Sequence, residues 1–226
     1  MFGANLSYAY AVAVTNASFE NQTPTGSWTS NTNGQYNTTV QSWTAGGGGA
    51  YGTWKPSMAS GNEKFNFIPD GSQVAYFYTD TAGTPRTISQ LTGESLTAGY
   101  TYTLSAQVGA RTNDTPAFTF GGGKIELLAG TTVIGTAVKT AAEVAAGAWG
   151  LVQLTVSADA QNPLLLGQQL SIRLSKNTHG TTHSSFDSVS LTAVPLPAAA
   201  WLFGSALLGL GWTKRFRRRS RDALIA

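Results

Sequence analysis

Tyr100-Thr101-Tyr102-Thr103-Leu104-Ser105-Ala106-Gln107-Val108-Gly109-Ala110-Arg111 is the stretch that sets the fold class. Its even positions are Tyr, Tyr, Leu, Ala, Val and Ala, and its odd positions are Thr, Thr, Ser, Gln, Gly and Arg. Successive side chains of a strand point to opposite faces, so this period of two describes a strand with one apolar and one wetted face. Such strands belong to antiparallel sheets packed on one side.

The same alternation recurs outward from it. Val152, Leu154, Val156 and Ala158 alternate with Gln153, Thr155, Ser157 and Asp159, and Leu170, Ile172 and Leu174 alternate with Ser171, Arg173 and Ser175. Residues 14–20, 37–44, 64–68, 73–80, 124–128, 132–134 and 185–192 read as further strands, with turns at Pro69-Asp70-Gly71 and Ala129-Gly130. Residues 21–36, rich in Thr, Asn, Ser and Gly, read as a long loop. Only residues 140–146 have helical composition, and Gly147 ends that run. About ten strands with no sustained helix and no internal repeat predict an all-β domain over residues 14–193, a jelly-roll β-sandwich.

Composition narrows the function. There is no cysteine, which removes disulfides, thiolate nucleophiles and cysteine metal clusters. The formal charge of +3 comes from the C-terminus, where six of the 14 cations lie in residues 214–221. The remainder carries eight cations against ten anions and offers no basic face, so nucleic acid is not an expected partner.

That C-terminus is organised differently from the rest. Val194-Pro195-Leu196-Pro197 excludes helix, residues 198–212 are an unbroken run of apolar and small residues, and the cations follow. Cations flanking a span stay on the cytoplasmic side, which predicts a single C-terminal transmembrane helix at 198–212 with the domain outside. The run reaches only about 22 Å against a hydrocarbon core of about 30 Å, so it reads as a minimal span or as a segment that is cut away. Residues 1–13, with Ala9-Tyr10-Ala11 of small-x-small form, read as the remnant of a signal peptide.

With Trp201-Leu202-Phe203-Gly204-Ser205 and Arg217-Arg218-Arg219 behind Val194-Pro195-Leu196-Pro197, the tail resembles the PEP-CTERM sorting signal in its VPLPA variant. That resemblance implies an exosortase and the inner membrane as partners, and export to the cell surface or extracellular matrix. Asn16-Ala17-Ser18-Phe19-Glu20, residues 96–104 and Phe186-Asp187-Ser188-Val189-Ser190-Leu191 resemble the galactose-binding-like jelly rolls of carbohydrate-binding modules. This second resemblance implies extracellular polysaccharide as a partner. It also implies a structural Ca²⁺ held by an acidic residue of the first strand and one of the last, here Glu20 and Asp187.

The residues themselves leave each site two readings. Asp187 shares a strand face with Val189 and Leu191, where a bare carboxylate is costly unless it is paired or bound to a metal; alternatively it caps backbone amides and Glu20 is solvated. Trp43, Tyr51 and Trp54 flank Gly46-Gly47-Gly48-Gly49 and are candidate sugar platforms, with Trp28 and Arg111 behind them; the competing role is packing. His179 and His183 sit four apart in a Gly/Thr/Ser loop and read as exposed polar residues, not a zinc pair. No nucleophile elbow, phosphate loop or dinucleotide fingerprint is present, and no carboxylate pair suited to glycoside hydrolysis can be named. The sequence therefore reads as a non-enzymatic exported matrix protein that binds glycan. A purely structural surface protein and a small polysaccharide hydrolase or lyase are the alternatives.

Overall fold

The alternating stretch forms β8 (Tyr100–Gly109), and the domain is built around it. The computed structural model describes residues 8–27, 34–80, 84–112 and 119–196. They form a sandwich of two antiparallel sheets. The first runs β12 (Trp149–Ser157), β8, β14 (Thr182–Pro195), β6 (Val74–Tyr78), β5 (Ala50–Pro56), β3 (Gly34–Tyr36) and β2 (Gly26–Ser27). The short β1 (Tyr10–Val12) and β9 (Thr119–Phe120) attach to β14, and β9 alone is parallel to its neighbour. The second sheet runs β11 (Thr132–Lys139), β10 (Gly123–Ala129), β13 (Gln169–Lys176), β7 (Thr87–Ser95) and β4 (Thr44–Gly46).

The apolar face of β8 is the reason for the arrangement. Tyr102, Leu104, Ala106 and Val108 are fully buried against Ile125 and Leu127 of β10 and Leu170, Ile172 and Leu174 of β13. Each large aliphatic side chain removed from water contributes about 1.5–3 kcal/mol, so this layer fixes which faces meet. Phe186 of β14 meets Phe77 of β6 edge to face at 5.5 Å in the same layer. Phe19 and Trp43, 5.7 Å apart, belong to the same core.

Several sequence expectations are corrected here. Residues 14–20 are a turn, not a strand: Asn16 and Phe19 have φ of 53° and 63°, and Phe19 N–H donates to Asn16 O. Neither residues 37–43 nor residues 64–68 are strand. A strand at residues 87–95 is unexpected because its buried positions include Gln90 and Thr92, which break the apolar alternation while Leu91 faces solvent. Tyr10–Val12, assigned above to a signal-peptide remnant, pairs with residues 191–193 of β14. Val194 and Pro195 are the end of β14, paired with Thr101 and Tyr100, so the first half of the supposed sorting motif is sheet. Pro197, Arg217, Arg218 and Arg219, the helix expected at 198–212, and Trp28 lie outside the described residues. Among the described residues no helix is long and apolar enough to cross a membrane.

Gly52 of β5 shows how tightly the first sheet is packed. A Cβ there would collide with the Asn37 carbonyl oxygen and lie 2.9 Å from the Tyr76 ring, whereas nothing lies within 4 Å of a Cβ on Gly93. Gly52→Ala is expected to lower unfolding free energy by about 1–3 kcal/mol in chemical denaturation, and Gly93→Ala to leave it near the wild-type value. Equal stability for the two variants would contradict this packing.

Candidate active site

β6 is apolar on both faces, and this is what creates a site. Ala75 and Phe77 enter the core between the sheets, whereas Val74, Tyr76 and Tyr78 point to the opposite face. There they join Trp54, Phe65, Ile68, Tyr36 and Trp149 in a second cluster, separate from the main core. Phe65 lies 4.8 Å from Trp149 and 5.6 Å from Trp54, and Tyr36 meets Tyr76 edge to face at 6.4 Å.

The register explains how so many rings fit. Trp149 of β12 pairs with Gly109 of β8, Gly109 with Ser185 of β14, Ser185 with Tyr76 of β6, and Tyr76 with Gly52 of β5. Along this row of five strands the two large rings are thus separated by Gly109 and Ser185 and followed by Gly52. A Cβ on Gly109 would lie 2.7–2.8 Å from the Trp149 ring, so that ring lies across the glycine as the Tyr76 ring lies across Gly52. Where the row is lowest, Ser184 and Ser185 floor a small hollow of about 20 Å³, walled by Trp54, Tyr76, Tyr78, Arg111 and His183. The Arg111 guanidinium stands 5.8 Å over the Trp54 ring.

The polar side chains of the hollow are held in a low-dielectric setting. Burial pushes the Tyr76 phenol well above its ordinary range. Burial also raises Tyr78, and the neighbouring Arg111 charge opposes the rise, which makes Tyr78 the better proton donor of the two. His183 is buried beside the Phe120 ring, not exposed as its loop-like sequence suggested. Behind this wall Lys176 Nζ and Asp80 Oδ1 form a fully buried ion pair at 3.0 Å. Lys176 also donates to Gly180 O and Thr182 O, and Asp80 accepts from His179 and from Gly180 N–H. This cluster ties the end of β6 to the start of β14, and so sets Tyr78 against His183.

Of the residues singled out in the sequence, Trp54 lines the hollow. Trp43 is in the core with its Nε1–H directed at Asn16 O, and Tyr51 is half buried with Arg86 4.7 Å over its ring. Glu20 and Asp187 do converge, on the turn at residues 69–73. Glu20 accepts from Ser72 N–H at 2.7 Å, Gln73 N–H at 2.5 Å and the Gln73 amide at 3.1 Å. Asp187, fully buried at a bulge in β14 where Ser188 has φ of 51°, accepts from Asp70 N–H at 2.9 Å and Ser188 N–H at 2.7 Å. Burial pushes its carboxyl up to about 7 against those two amides, and the Asp70 and Glu20 charges add to the rise. Among the described residues no group of three or more His, Asp or Glu is placed to hold a metal ion.

The sandwich thus carries an aromatic cage on the outer face of one sheet, with phenol, guanidinium and imidazole groups converging on a small hollow. The chain belongs to the HpiC1-like cyclase family, whose model matches residues 10–192. It is similar to the Stig cyclase Fisc from Fischerella sp. TAU in complex with (3Z)-3-(1-methyl-2-pyrrolidinylidene)-3H-indole, at 25% identity and a TM-score of 0.70 over 84% of this chain and 100% of that one. An apo form cyclase from Fischerella sp. gives 25% identity and a TM-score of 0.69 over 83% and 98% of the two chains. A cyclase from Fischerella sp. TAU in complex with 4-(1H-indol-3-yl)butan-2-one, at 24% identity, 83% and 98% coverage and a TM-score of 0.67, supports the fold. No match was found among the curated proteins.

The family corrects the functional reading of the sequence. The PEP-CTERM resemblance rested on about the last 30 residues, whereas the family match spans the folded domain and is to cyclases. The assignments as an exosortase-sorted, non-enzymatic matrix protein, as a glycan binder and as a membrane-anchored or exported protein are therefore withdrawn. Generic strand phrases and an apolar tail carried them, and neither describes the aromatic face.

Asp187 leaves a signature in stability. Its carboxyl binds a proton more tightly when folded, at about 7, than when unfolded, near 3.8. In chelator, its contribution is fully present below about pH 4 and is lost as pH rises to about 7. Urea melts across that range should show the decline in the wild type and its absence in Asp187→Asn; identical pH profiles would contradict the buried carboxyl.

Proposed function

We propose that this chain is an enzyme, a cyclase that closes a ring on an indole-type aromatic substrate held against the outer aromatic face around Trp54 and Tyr78, the side chains that wall the small hollow over Ser185 parting to admit it. The single observation that carries this reading is the outer aromatic cage: Trp54, Tyr76 and Tyr78 converge with Arg111 and His183 on a face away from the main core. The indole bound by the similar Stig cyclase supports the substrate class. The finer architecture we propose is a galactose-binding-like jelly roll. It is supported by the central placing of late strands, β14 between β8 and β6, and β13 between β10 and β7.

Ring closure within one molecule needs no co-substrate. A proton delivered to an unsaturated side chain leaves a cationic carbon, an aromatic carbon attacks it, and the proton lost from the new ring junction is returned. Confinement in the cage holds the two carbons in contact, and effective molarities from such orientation are large. Ring faces of Trp54 and Tyr76 stabilise the developing cation. Tyr78 is the proposed proton donor, with Arg111 stabilising the phenolate left behind.

Indoles bearing an unsaturated side chain are the substrates to test, with product followed by mass-neutral ring formation in NMR. Tyr78→Phe is expected to lower kcat about a hundredfold or more with KM little changed. Trp54→Ala is expected to raise KM chiefly. Absence of turnover and of binding across a broad indole panel would overturn the reading.

For Glu20 and Asp187 we carry forward one Ca²⁺ as their candidate ligand. It would relieve the repulsion of two carboxylates gathered on one turn, with backbone carbonyls completing its oxygen shell. The amides already bound to both carboxylates are the competing arrangement. Millimolar Ca²⁺ should raise the melting temperature of the wild type at pH 8 and not that of Glu20→Gln; no shift in the wild type would remove the metal from the account.

A further inference from the structure

A second hollow lies beside the aromatic cage, and its polar lining has no role in ring closure. After β5 the chain turns back at residues 59–62, where Asn62 N–H donates to Ala59 O at 2.8 Å. The returning segment is pinned on three sides: Lys64 N–H to Ser57 O at 3.0 Å, Thr112 N–H to Lys64 O at 3.0 Å, and Asn66 N–H to Gly147 O at 2.8 Å. The Thr112 hydroxyl adds a bond to Glu63 O at 2.5 Å. These contacts border an open hollow of about 570 Å³ lined by Asn62, Glu63, Lys64, Phe65, Asn66 and Thr112.

Lys64 is the unusual member. Its residue is only 5% exposed, yet its ammonium has no hydrogen-bond or ion-pair partner among the described residues. Lysines rarely reach that burial unless paired; here the stem is packed away and the ammonium keeps the residue's remaining exposure, opening on the hollow with no counter-charge beside it. Glu63 is exposed and forms no ion pair with it. Burial and the nearby Arg111 charge both disfavour the protonated amine, so the pinned loop holds a cation against its own electrostatics. Nothing in the packing requires a lysine here: Phe65, the next residue, supplies the contact with Trp54 and Trp149.

We infer that this hollow is a binding site for an anionic group, a carboxylate or a phosphate, with Lys64 as its charge partner and the Asn62 and Asn66 amides as further donors. The site is built before the ligand arrives, because the Lys64 backbone is held at both its N–H and its carbonyl. The assignment stands independently of the cyclase reading.

The test follows acetylation of Lys64 by acetic anhydride, read by mass spectrometry, with the exposed Lys55 as internal reference. Benzoate, phenyl phosphate and the neutral benzamide are titrated in turn. At least one anion should slow Lys64 acetylation while benzamide leaves it unchanged and Lys55 is unaffected; the more protective anion separates carboxylate from phosphate. In calorimetry, Lys64→Met should bind that anion about ten- to a hundredfold more weakly and Lys64→Arg should retain it. Protection by benzamide equal to that by both anions, or no protection by any of the three, overturns the site even if the methionine variant fails to fold.

Discussion

The constraint on which the molecule depends is that the first sheet is apolar on both faces along β6. Ordinary sandwich strands bury one face and wet the other, as β8 does. β6 places Phe77 in the main core and Tyr76 in a separate aromatic layer, so this layer needs its own cover. Residues 57–70 and Trp149 provide it, with Phe65 at its centre and Trp149 Nε1–H fastened to Phe67 O at 2.8 Å. Above the buried Ser185 the cover is imperfectly packed, and the small hollow is what remains. Fold and site are therefore one packing problem: the glycines that let rings lie across the sheet also set where the hollow falls.

Much of the fold was legible in the sequence. Alternation placed β8, β12 and β13, strand composition between turns placed β6, β10, β11 and β14, and the absence of a sustained helix excluded the α/β classes. What alternation could not find was β7, whose buried face carries Gln90 and Thr92, and the turn at residues 15–20, where left-handed backbone at Asn16 and Phe19 is a tertiary outcome. Gln90 bonds Thr15 O and Ser42 O at 2.8 Å, and Thr92 bonds Leu170 O at 3.0 Å. Those polar side chains are buried because they tie segments together, and no local pattern announces such a role.

The site was legible only in part. Val74-Ala75-Tyr76-Phe77-Tyr78 is apolar at every position, and a strand without alternation signals cover on both sides; that was the available clue. His183 looked like loop filler because its neighbours are Gly, Thr and Ser, and Ser185 was the first residue of the last expected strand; the register of Ser185 against Gly109 and Tyr76 is what brings this end of β14 to the hollow. Glu20 and Asp187, paired in the sequence as candidate Ca²⁺ ligands, both accept from the amides of one turn in the structure. The tail commanded most attention in the sequence because its composition is extreme, yet the chemistry lies in the domain before it.

The most direct measurement is the crystal structure of the protein with an indole ligand at saturating concentration. The account predicts the indole ring against Trp54 and Tyr76, its side chain over Ser185 and within reach of the Tyr78 hydroxyl. Density for the ligand elsewhere, as at Tyr51, with the hollow over Ser185 left empty, would contradict it.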